Sequence, residues 1–211
     1  SSITVEKTPD VMRQMQSLFD VRANPKAKFS PSALNYYLDC PLKFYYRYVA
    51  GLSAPDEVSA EIDSATFGSI FHYAAEHIYK DLTTHGKVIN KEALETLLRN
   101  EVKLQDYVDT AFKKLFFNVP QNEKPEYNGI QLINSKVIVS YAVIARYLKQ
   151  LLQNDLRYAP FTFIASEMEV DEPIDIQTPK GVIKSRIGGI IDRMDSKDGT
   201  LRIVDYKTGG D

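Results

Sequence analysis

The spacing of hydrophobic positions changes along the chain, from a helical period in the first two-thirds to an alternating period in the last third. Apolar residues recur every three to four positions over residues 9–19, 30–40, 41–50, 66–79, 90–117 and 130–158. This spacing places apolar side chains on one face of an α-helix. We therefore predict an α-helical first two-thirds, in which the segment 90–117 forms either one helix or two.

Capping residues support two of these helices. Ser30 followed by Pro31 is typical of a helix start, because the serine side chain accepts a hydrogen bond from the first turn and proline fits its first position. Pro41 ends this helix and opens the next one, which Gly51 terminates. The polar segments 52–64 and 118–129 are predicted to be loops.

Three later segments are rich in β-branched and aromatic residues and alternate between apolar and polar positions. They cover residues 161–170, 182–192 and 201–206. Alternation of this kind is typical of β-strands. Asp198-Gly199 is a strong turn signal, so we predict that the last two strands form an antiparallel hairpin. The whole pattern predicts an α/β protein.

Composition and charge narrow the class of protein. The 211 residues are 44% hydrophobic and 26% charged, which excludes a disordered chain. The sequence has no apolar run of about 18 residues and does not begin with a signal peptide, so we expect no membrane partner and a cytoplasmic location. A net charge of −2 argues against a generally basic surface, although it allows a local basic channel.

The clearest chemical signal is Asp205-Tyr206-Lys207 at the end of an apolar strand. Because strand side chains alternate, Asp205 and Lys207 share one face and Tyr206 lies on the other. Counting back from the turn, Asp192 falls near Asp205 across the hairpin. An aspartate at a strand end is usually a turn or cap residue. Two converging carboxylates with a lysine on the same face instead favour a site for a divalent cation.

Four motifs occur in order along the chain. They are a segment from Ser32 through Cys40-Pro41 and Phe44 to Tyr48, Phe-Gly-x-x-x-His at 67–72, Gly-x-x-Asp-Arg at 189–193, and Asp-Tyr-Lys-Thr-Gly at 205–209. Together they resemble the RecB/AddB-like branch of the PD-(D/E)xK nuclease superfamily, from about residue 29 to residue 210. The resemblance implies a restriction-endonuclease-like core, in which a small mixed β-sheet is flanked by helices, with an α-helical N-terminal lobe.

The resemblance also implies a set of site residues. The expected metal ligands are the side chains of His72, Asp192 and Asp205 and the backbone carbonyl of Tyr206. A lone histidine on an apolar helix is more often a packed side chain, and only the motif favours a ligand here. Glu167 would act as a further ligand or an assisting carboxylate. Lys207 would position or deprotonate the attacking water, and the expected metal is Mg²⁺ or Mn²⁺.

The chain departs from the family at two points. In several AddB-like members the equivalent of Cys40 joins three later cysteines in an iron–sulfur cluster, but Cys40 is the only cysteine here. One thiolate cannot hold such a cluster, so we expect no iron–sulfur cluster within this chain and a buried, small apolar side chain. The alternative is that partner cysteines lie in a longer parent protein.

The family also has a Gln-x-x-x-Tyr helix after the lysine strand, and this chain ends before it. We therefore expect residues 1–28 to form an N-terminal helix and linker. We expect residues 29–211 to form the nuclease domain, truncated at its C-terminal end.

Two groups of residues are candidates for contacts with nucleic acid. The basic candidates for phosphate contacts are Lys43, Arg47, Lys184, Arg186 and Arg193. The aromatic run 44–48 either stacks on bases or forms a helix with one side in the core, and we favour the second interpretation.

We interpret the chain as a metal-dependent DNA nuclease domain, with exonuclease action favoured over endonuclease action. Its expected partners are DNA and a helicase domain or subunit, in recombinational repair, because the chain has no phosphate-binding Gly-x-x-x-x-Gly-Lys-Ser/Thr motif of its own. Two alternatives stay open. One is a catalytically silent nucleic-acid-binding or scaffolding module with the nuclease fold, and the other is an unrelated α/β domain in which Asp-Tyr-Lys is coincidental.

Overall fold

The structure is a computed structural model, and it describes residues 4–52, 62–117, 135–179 and 181–209. The chain divides into two compact units. The first unit comprises the described residues within 1–57 and 169–190, and the second comprises those within 58–168 and 191–211. The predicted domain boundary at residue 28 does not follow from this division and stays a prediction.

Short helices form the N-terminal part of the first unit. They are α1 (Pro9–Phe19), α2 (Pro31–Asp39) and α3 (Pro41–Phe44), and α3 continues into a π-helical turn, Tyr45–Val49. As predicted, the Ser30 side chain accepts a hydrogen bond from the N–H of Ala33, at 3.1 Å. Gly51 has a φ of +67°, which glycine adopts readily, and the helical segment ends there.

Aromatic side chains build the core of the first unit. The Phe19 and Phe29 rings stack with their centroids 4.1 Å apart, and Phe44 packs against Phe19 at 5.6 Å. The backbone of Phe29 accepts from the N–H of Gly188 and donates to the carbonyl of Arg186, which forms a parallel bridge at Ile187. A Cβ atom at Gly188 would lie 2.3 Å from the carbonyl oxygen of Val170, so this position requires glycine.

Four longer helices surround the core of the second unit. They are α4 (Ser64–Leu82), α5 (Lys91–Arg99), α6 (Glu101–Leu115) and α7 (Ser135–Tyr158). Asp63 caps α4 by accepting from two backbone N–H groups of its first turn. Asn100 separates α5 from α6 and caps the latter, so the predicted helical segment 90–117 is two helices. Fully buried side chains of these helices include Ile70, Ile78, Leu94, Val108, Phe112, Ile144, Leu148 and Leu152.

The sheet has four strands in the order β1-β2-β3-β4. They are β1 (Val88–Ile89), β2 (Phe161–Thr178), β3 (Gly181–Lys197) and β4 (Thr200–Val204). β1 pairs antiparallel with β2, and β3 pairs antiparallel with β4. β2 and β3 each contribute one part to each unit.

The last two strands form the predicted hairpin. Their register runs from Lys197 opposite Thr200 to Arg193 opposite Val204. Asp198 and Gly199 form the turn with φ values of +50° and +76°. A turn with two positive φ values matches the twist of the flanking strands, which explains the Asp-Gly pair.

The observed elements confirm the predicted α/β class and correct some boundaries. β1 is too short to show an alternating pattern and was not predicted, and β2 extends to residue 178 rather than 170. The predicted loop 118–129, most of the predicted loop 52–64 and the first residues of the predicted helix 130–158 lie outside the described residues. Within the described part of the chain, every helix is too short or too polar to span a bilayer.

Candidate active site

The β3–β4 hairpin determines where Asp192 lies. The residue pair that follows Arg193 and Val204 in the hairpin register is Asp192 and Asp205, as the sequence predicted. Here the Asp192 side chain is about one-tenth exposed, and its Oδ2 accepts a 2.5 Å hydrogen bond from the backbone N–H of Tyr206. The second oxygen, Oδ1, faces His72 Nδ1 at 3.7 Å.

Alternation in the chain after β4 separates Tyr206 from its two neighbours. Lys207 Nζ lies 2.7 Å from the Asp205 carboxylate, and the two side chains are 80% and 60% exposed. The Tyr206 ring instead packs edge-on against Phe71 and His72, with centroids 5.5 and 5.4 Å away. Burial raises the pKa of the Tyr206 hydroxyl, so this group stays protonated. The predicted arrangement of faces is confirmed.

Three side chains converge on one point. His72 Nδ1 lies 3.2 Å from Glu167 Oε1, and one potential ligand atom from each of His72, Glu167 and Asp192 lies within 4.8 Å of the other two. With metal–oxygen distances of about 2.1 Å, adjacent ligand atoms lie about 3 Å apart and opposite ones about 4.2 Å apart. Two oxygen donors and one nitrogen donor at these separations fit a divalent cation such as Mg²⁺ or Mn²⁺.

Glu167 reaches this cluster through an unusual backbone conformation. Its φ is +48°, in the left-handed region that glycine favours, within the long strand β2. Such a residue interrupts the regular alternation of side chains along a strand, as β-bulges do. Non-glycine residues in this region carry strain and are often found at functional sites. The sequence identified Glu167 by resemblance, but it contained no signal for this backbone conformation.

The predicted ligand Asp205 lies outside this three-residue cluster. Its carboxylate pairs with Lys207 on the open face of the chain, and this pairing raises the pKa of the lysine ammonium. The structure therefore brings together His72, Glu167, Asp192 and the backbone of Tyr206. Asp205 and Lys207 form an exposed ion pair next to them along the chain.

A groove of about 470 Å³ leads to His72 and Glu167. One face of α4 forms its floor, and the first two turns contribute mainly small side chains. Gly68 lies in this floor, and a Cβ there would approach the Thr208 hydroxyl to 3.3 Å. The groove is lined by Ser64, Ala65, Gly68, Ser69, His72, Tyr73, Glu76, Leu115 and Glu167.

Four of the five basic residues predicted to contact phosphates lie at the surface of the first unit. Arg47 is exposed. Lys43 pairs with Asp39 at 2.7 Å, Lys184 with Asp175 at 2.5 Å, and Arg186 with Asp171 at 2.8 Å. These are exposed pairs, which solvent competes with readily, so their cations remain accessible to an anion.

Arg193 differs from the other basic candidates, and a phosphate contact for it is wrong. Its side chain is only 1% exposed, because its guanidinium forms ion pairs with Asp155 and Asp195 inside the second unit. Although burial alone lowers the pKa of Arg193, Tyr79 and Asp155 raise it overall. The sequence analysis missed both of these aspartates, because an isolated acidic residue carries no pattern.

Cys40 is partly buried between α2 and α3, and its thiol is free. The prediction of a fully buried cysteine is therefore wrong. The first of the two interpretations of the aromatic run fits Tyr46, which is 38% exposed, and the second fits Phe44, which is buried.

Comparison with known proteins identifies the family. A family model described as the PD-(D/E)XK nuclease superfamily matches residues 28–211. The chain belongs to this superfamily. Membership confirms the predicted family, the restriction-endonuclease-like fold class and the interpretation as a nuclease domain. PD-(D/E)XK nucleases use divalent metals, and Asp205-Tyr206-Lys207 matches the (D/E)-x-K part of the name.

Three curated relatives are each named as one of the subunits of an ATP-dependent helicase/deoxyribonuclease. They come from Carboxydothermus hydrogenoformans (26% identity over 192 residues), Clostridium acetobutylicum (27% over 198) and Acetivibrio thermocellus (30% over 190). The alignments cover 86–88% of this chain but only 15–16% of each relative. The PD-(D/E)XK domain thus corresponds to about one-sixth of those proteins.

Proposed function

We propose that this PD-(D/E)XK domain is a divalent-metal-dependent deoxyribonuclease that hydrolyses phosphodiester bonds. The observation that carries the proposal is the convergence of His72, Glu167 and Asp192 beside the Asp205-Tyr206-Lys207 segment. Each of these residues lies on a different element of the second unit, so the fold is needed to bring them together. A cluster with this donor set fits Mg²⁺ or Mn²⁺.

The proposed ligands are His72, Asp192, Asp205 and the carbonyl of Tyr206, with Glu167 as a ligand or an assisting carboxylate. When bound, the metal supplies Lewis acidity toward a phosphoryl oxygen and lowers the pKa of a bound water. Asp192 is held for this role, because the Tyr206 N–H occupies one carboxylate oxygen and leaves the other facing His72.

Lys207 is the proposed group that positions the attacking water and takes up its proton. Its pairing with Asp205 raises the pKa of the ammonium, which favours the charged form. A carboxylate engaged as a ligand has less charge to share with this lysine. The pKa of Lys207 then moves back toward its usual range, and the amine becomes a better proton acceptor.

The biological setting is part of the same proposal. The relatives carry a helicase and a deoxyribonuclease in their name, which supports DNA as substrate, a helicase domain or subunit as partner, and a cytoplasmic role in recombinational repair. Exonuclease action is favoured over endonuclease action, because a partner that travels along DNA would feed a strand end to the site.

One observation favours a second candidate, a catalytically silent DNA-binding or scaffolding module. Asp205 and Lys207 pair with each other and lie outside the three-residue cluster. If that pair persists with metal present, the lysine has no water to act on. Cleavage, rather than metal binding, separates the two candidates.

Calorimetric titration with Mn²⁺ tests the proposal. Wild type should bind about one ion per chain, and Asp192→Ala/Asp205→Ala should lose this binding. The matched control is Asp171→Ala/Asp175→Ala, which removes two exposed carboxylates of the first unit and should bind like wild type. Cleavage of linear DNA with Mn²⁺ should follow the same order. Binding without cleavage would support the silent module, and absence of binding in wild type would contradict both the metal site and the nuclease proposal.

A further inference from the structure

A cluster of buried charges lies directly behind the three-residue cluster. Arg193 follows Asp192 in β3 and points to the opposite face of the strand. Its guanidinium donates two hydrogen bonds to the Asp155 carboxylate on α7, at 2.6 and 2.9 Å. Its Nε also lies 3.1 Å from Asp195. Arg193 therefore joins α7 to the strand that carries Asp192.

Two further residues extend the cluster to other elements. Arg202 on β4 donates to both oxygens of Asp195 at 2.8 Å and to Asp155 at 3.3 Å. Tyr79 on α4 donates its hydroxyl to Asp155 at 2.5 Å, and the Arg193 guanidinium lies 4.4 Å above its ring. The cluster thus links α4, α7, β3 and β4.

Three of the linked elements carry the proposed site. α4 carries His72, two helical turns before Tyr79. β3 carries Asp192, and β4 leads into the segment of Asp205 and Lys207. A change in the separation of α4 and β3 at the charge cluster would change the separation of His72 and Asp192.

The chemistry of the cluster favours a geometric role over a simple contribution to stability. Buried ion pairs seldom stabilise a protein more than well-packed apolar residues of the same volume would, because the charges must lose their hydration. What they provide is direction, since a guanidinium binds carboxylates in a fixed, planar geometry. Arg193 satisfies two carboxylates on two elements at once, which neither lysine nor an apolar side chain can do.

We infer that Arg193 is a positioning residue for the metal site, acting through Asp155 and Tyr79 to fix the distance between His72 and Asp192. Arg193 itself does not touch substrate or metal. The inference rests on the proposed function for its consequence in metal binding. Its structural part, the alignment of β3 with the Tyr206 backbone, can be measured in the metal-free protein.

The test is Arg193→Lys in the whole chain, with two measurements. The first is the Mn²⁺ dissociation constant by calorimetry, which should rise about tenfold, as is typical when a group that orients metal ligands is lost. The second is hydrogen exchange of the Tyr206 amide in metal-free protein, which should become at least about tenfold faster because its acceptor Asp192 is less fixed. Circular dichroism and thermal unfolding establish that the variant is folded.

A matched control is Asp20→Asn in the first unit. Asp20 is also a buried carboxylate that forms a two-point contact with an arginine, Arg22. This variant should unfold at a lower temperature and leave both measurements unchanged. If folded Arg193→Lys shows wild-type Mn²⁺ affinity and wild-type exchange at Tyr206, the positioning role is wrong and the cluster is only structural.

A milder variant keeps the test valid if Arg193→Lys does not fold. Tyr79→Phe removes only the hydroxyl that donates to Asp155 and leaves the ring under Arg193. It should weaken Mn²⁺ binding and accelerate Tyr206 exchange in the same direction, by a smaller factor. Unchanged values in this variant would also overturn the inference. If wild type binds no Mn²⁺, the proposed function fails, whereas the exchange comparison still decides whether Arg193 positions the hairpin.

Discussion

The backbone N–H of Tyr206 donates a hydrogen bond to the carboxylate of Asp192, with a nitrogen–oxygen distance of 2.5 Å. This bond ties the chain after β4 to the buried end of β3. It also gives the two carboxylate oxygens different partners, because one accepts the bond and the other faces His72.

Replacement of Asp192 by asparagine should separate these two uses. The side chain of Asp192→Asn keeps an acceptor for the Tyr206 N–H but loses the charge that a divalent cation needs. We expect thermal stability of the metal-free protein to stay near that of wild type, and Mn²⁺ binding to become undetectable by calorimetry. A large drop in stability with retained Mn²⁺ binding would show that Asp192 serves the fold rather than the metal.

Asp205→Ala should abolish cleavage and leave the fold nearly intact. The side chain is 60% exposed, and surface substitutions of this kind usually change the free energy of unfolding by about 0.5 kcal/mol or less. The measurements are DNA cleavage and thermal unfolding. Glu172→Ala, an exposed acidic residue of β2, is the control and should cleave normally. An unchanged cleavage rate in Asp205→Ala would remove Asp205 from the site.

Lys207→Ala should reduce the cleavage rate more than it reduces metal affinity. Loss of a group that takes up a proton or stabilises developing charge typically costs about 10²–10⁴-fold in rate. Lys149→Ala is a matched control, because Lys149 also pairs with a carboxylate, Glu101, at 2.6 Å. Equal losses of rate and of Mn²⁺ affinity, measured by single-turnover kinetics and calorimetry, would contradict the assigned role.

The positive φ of Glu167 leads to an order of stabilities among its variants. Glu167→Gly relieves the backbone strain but pays the entropy of glycine, so we expect unfolding free energy within about 1 kcal/mol of wild type. Glu167→Val places a β-branched residue in the same conformation and should destabilise by about 1–3 kcal/mol. Chemical denaturation measures both. Both variants should also bind Mn²⁺ more weakly, and equal stability of the two would argue against a strained conformation.

The Asp20–Arg22 pair predicts how stability depends on pH. Hydrogen bonds from Arg22 lower the pKa of the Asp20 carboxyl below its usual value of 3.8. A lowered pKa in the folded state stabilises the protein above pH 3.8, and this contribution is lost as pH falls through the folded-state pKa. Asp20→Asn should therefore lose less stability than wild type between pH 5 and pH 2, as measured by thermal unfolding across that range. Parallel pH profiles would contradict the shift.

Local patterns were enough to predict most of the fold. The Asp198-Gly199 turn fixed the hairpin register, and alternation then placed Asp205 and Lys207 on one face and Tyr206 on the other. Capping at Ser30 and the break at Asn100 also follow from local hydrogen bonds. These features depend on residues close in sequence, so the sequence displays them directly.

Contacts between distant segments could not be predicted in this way. Asp155 pairs with Arg193, 38 positions away, and with Tyr79, 76 positions away. Arg193 thus appeared as a candidate for phosphate contacts, although tertiary pairing buries it. The side-chain direction of Glu167 likewise depends on one backbone angle that its neighbours do not specify. Such contacts arise only when the elements pack together.

The alternation of side chains in β3 has a consequence for insertions and deletions. Asp192 and Arg193 are adjacent but face opposite sides of the strand, one toward the metal ligands and the other into the charge cluster. Removing one residue between Arg193 and the turn would exchange these sides, exposing the guanidinium and burying an unpaired carboxylate. The length of the hairpin should therefore be less tolerant of change than the identity of its exposed residues, and a library of single-residue deletions would show a continuous intolerant segment from position 193 to position 197.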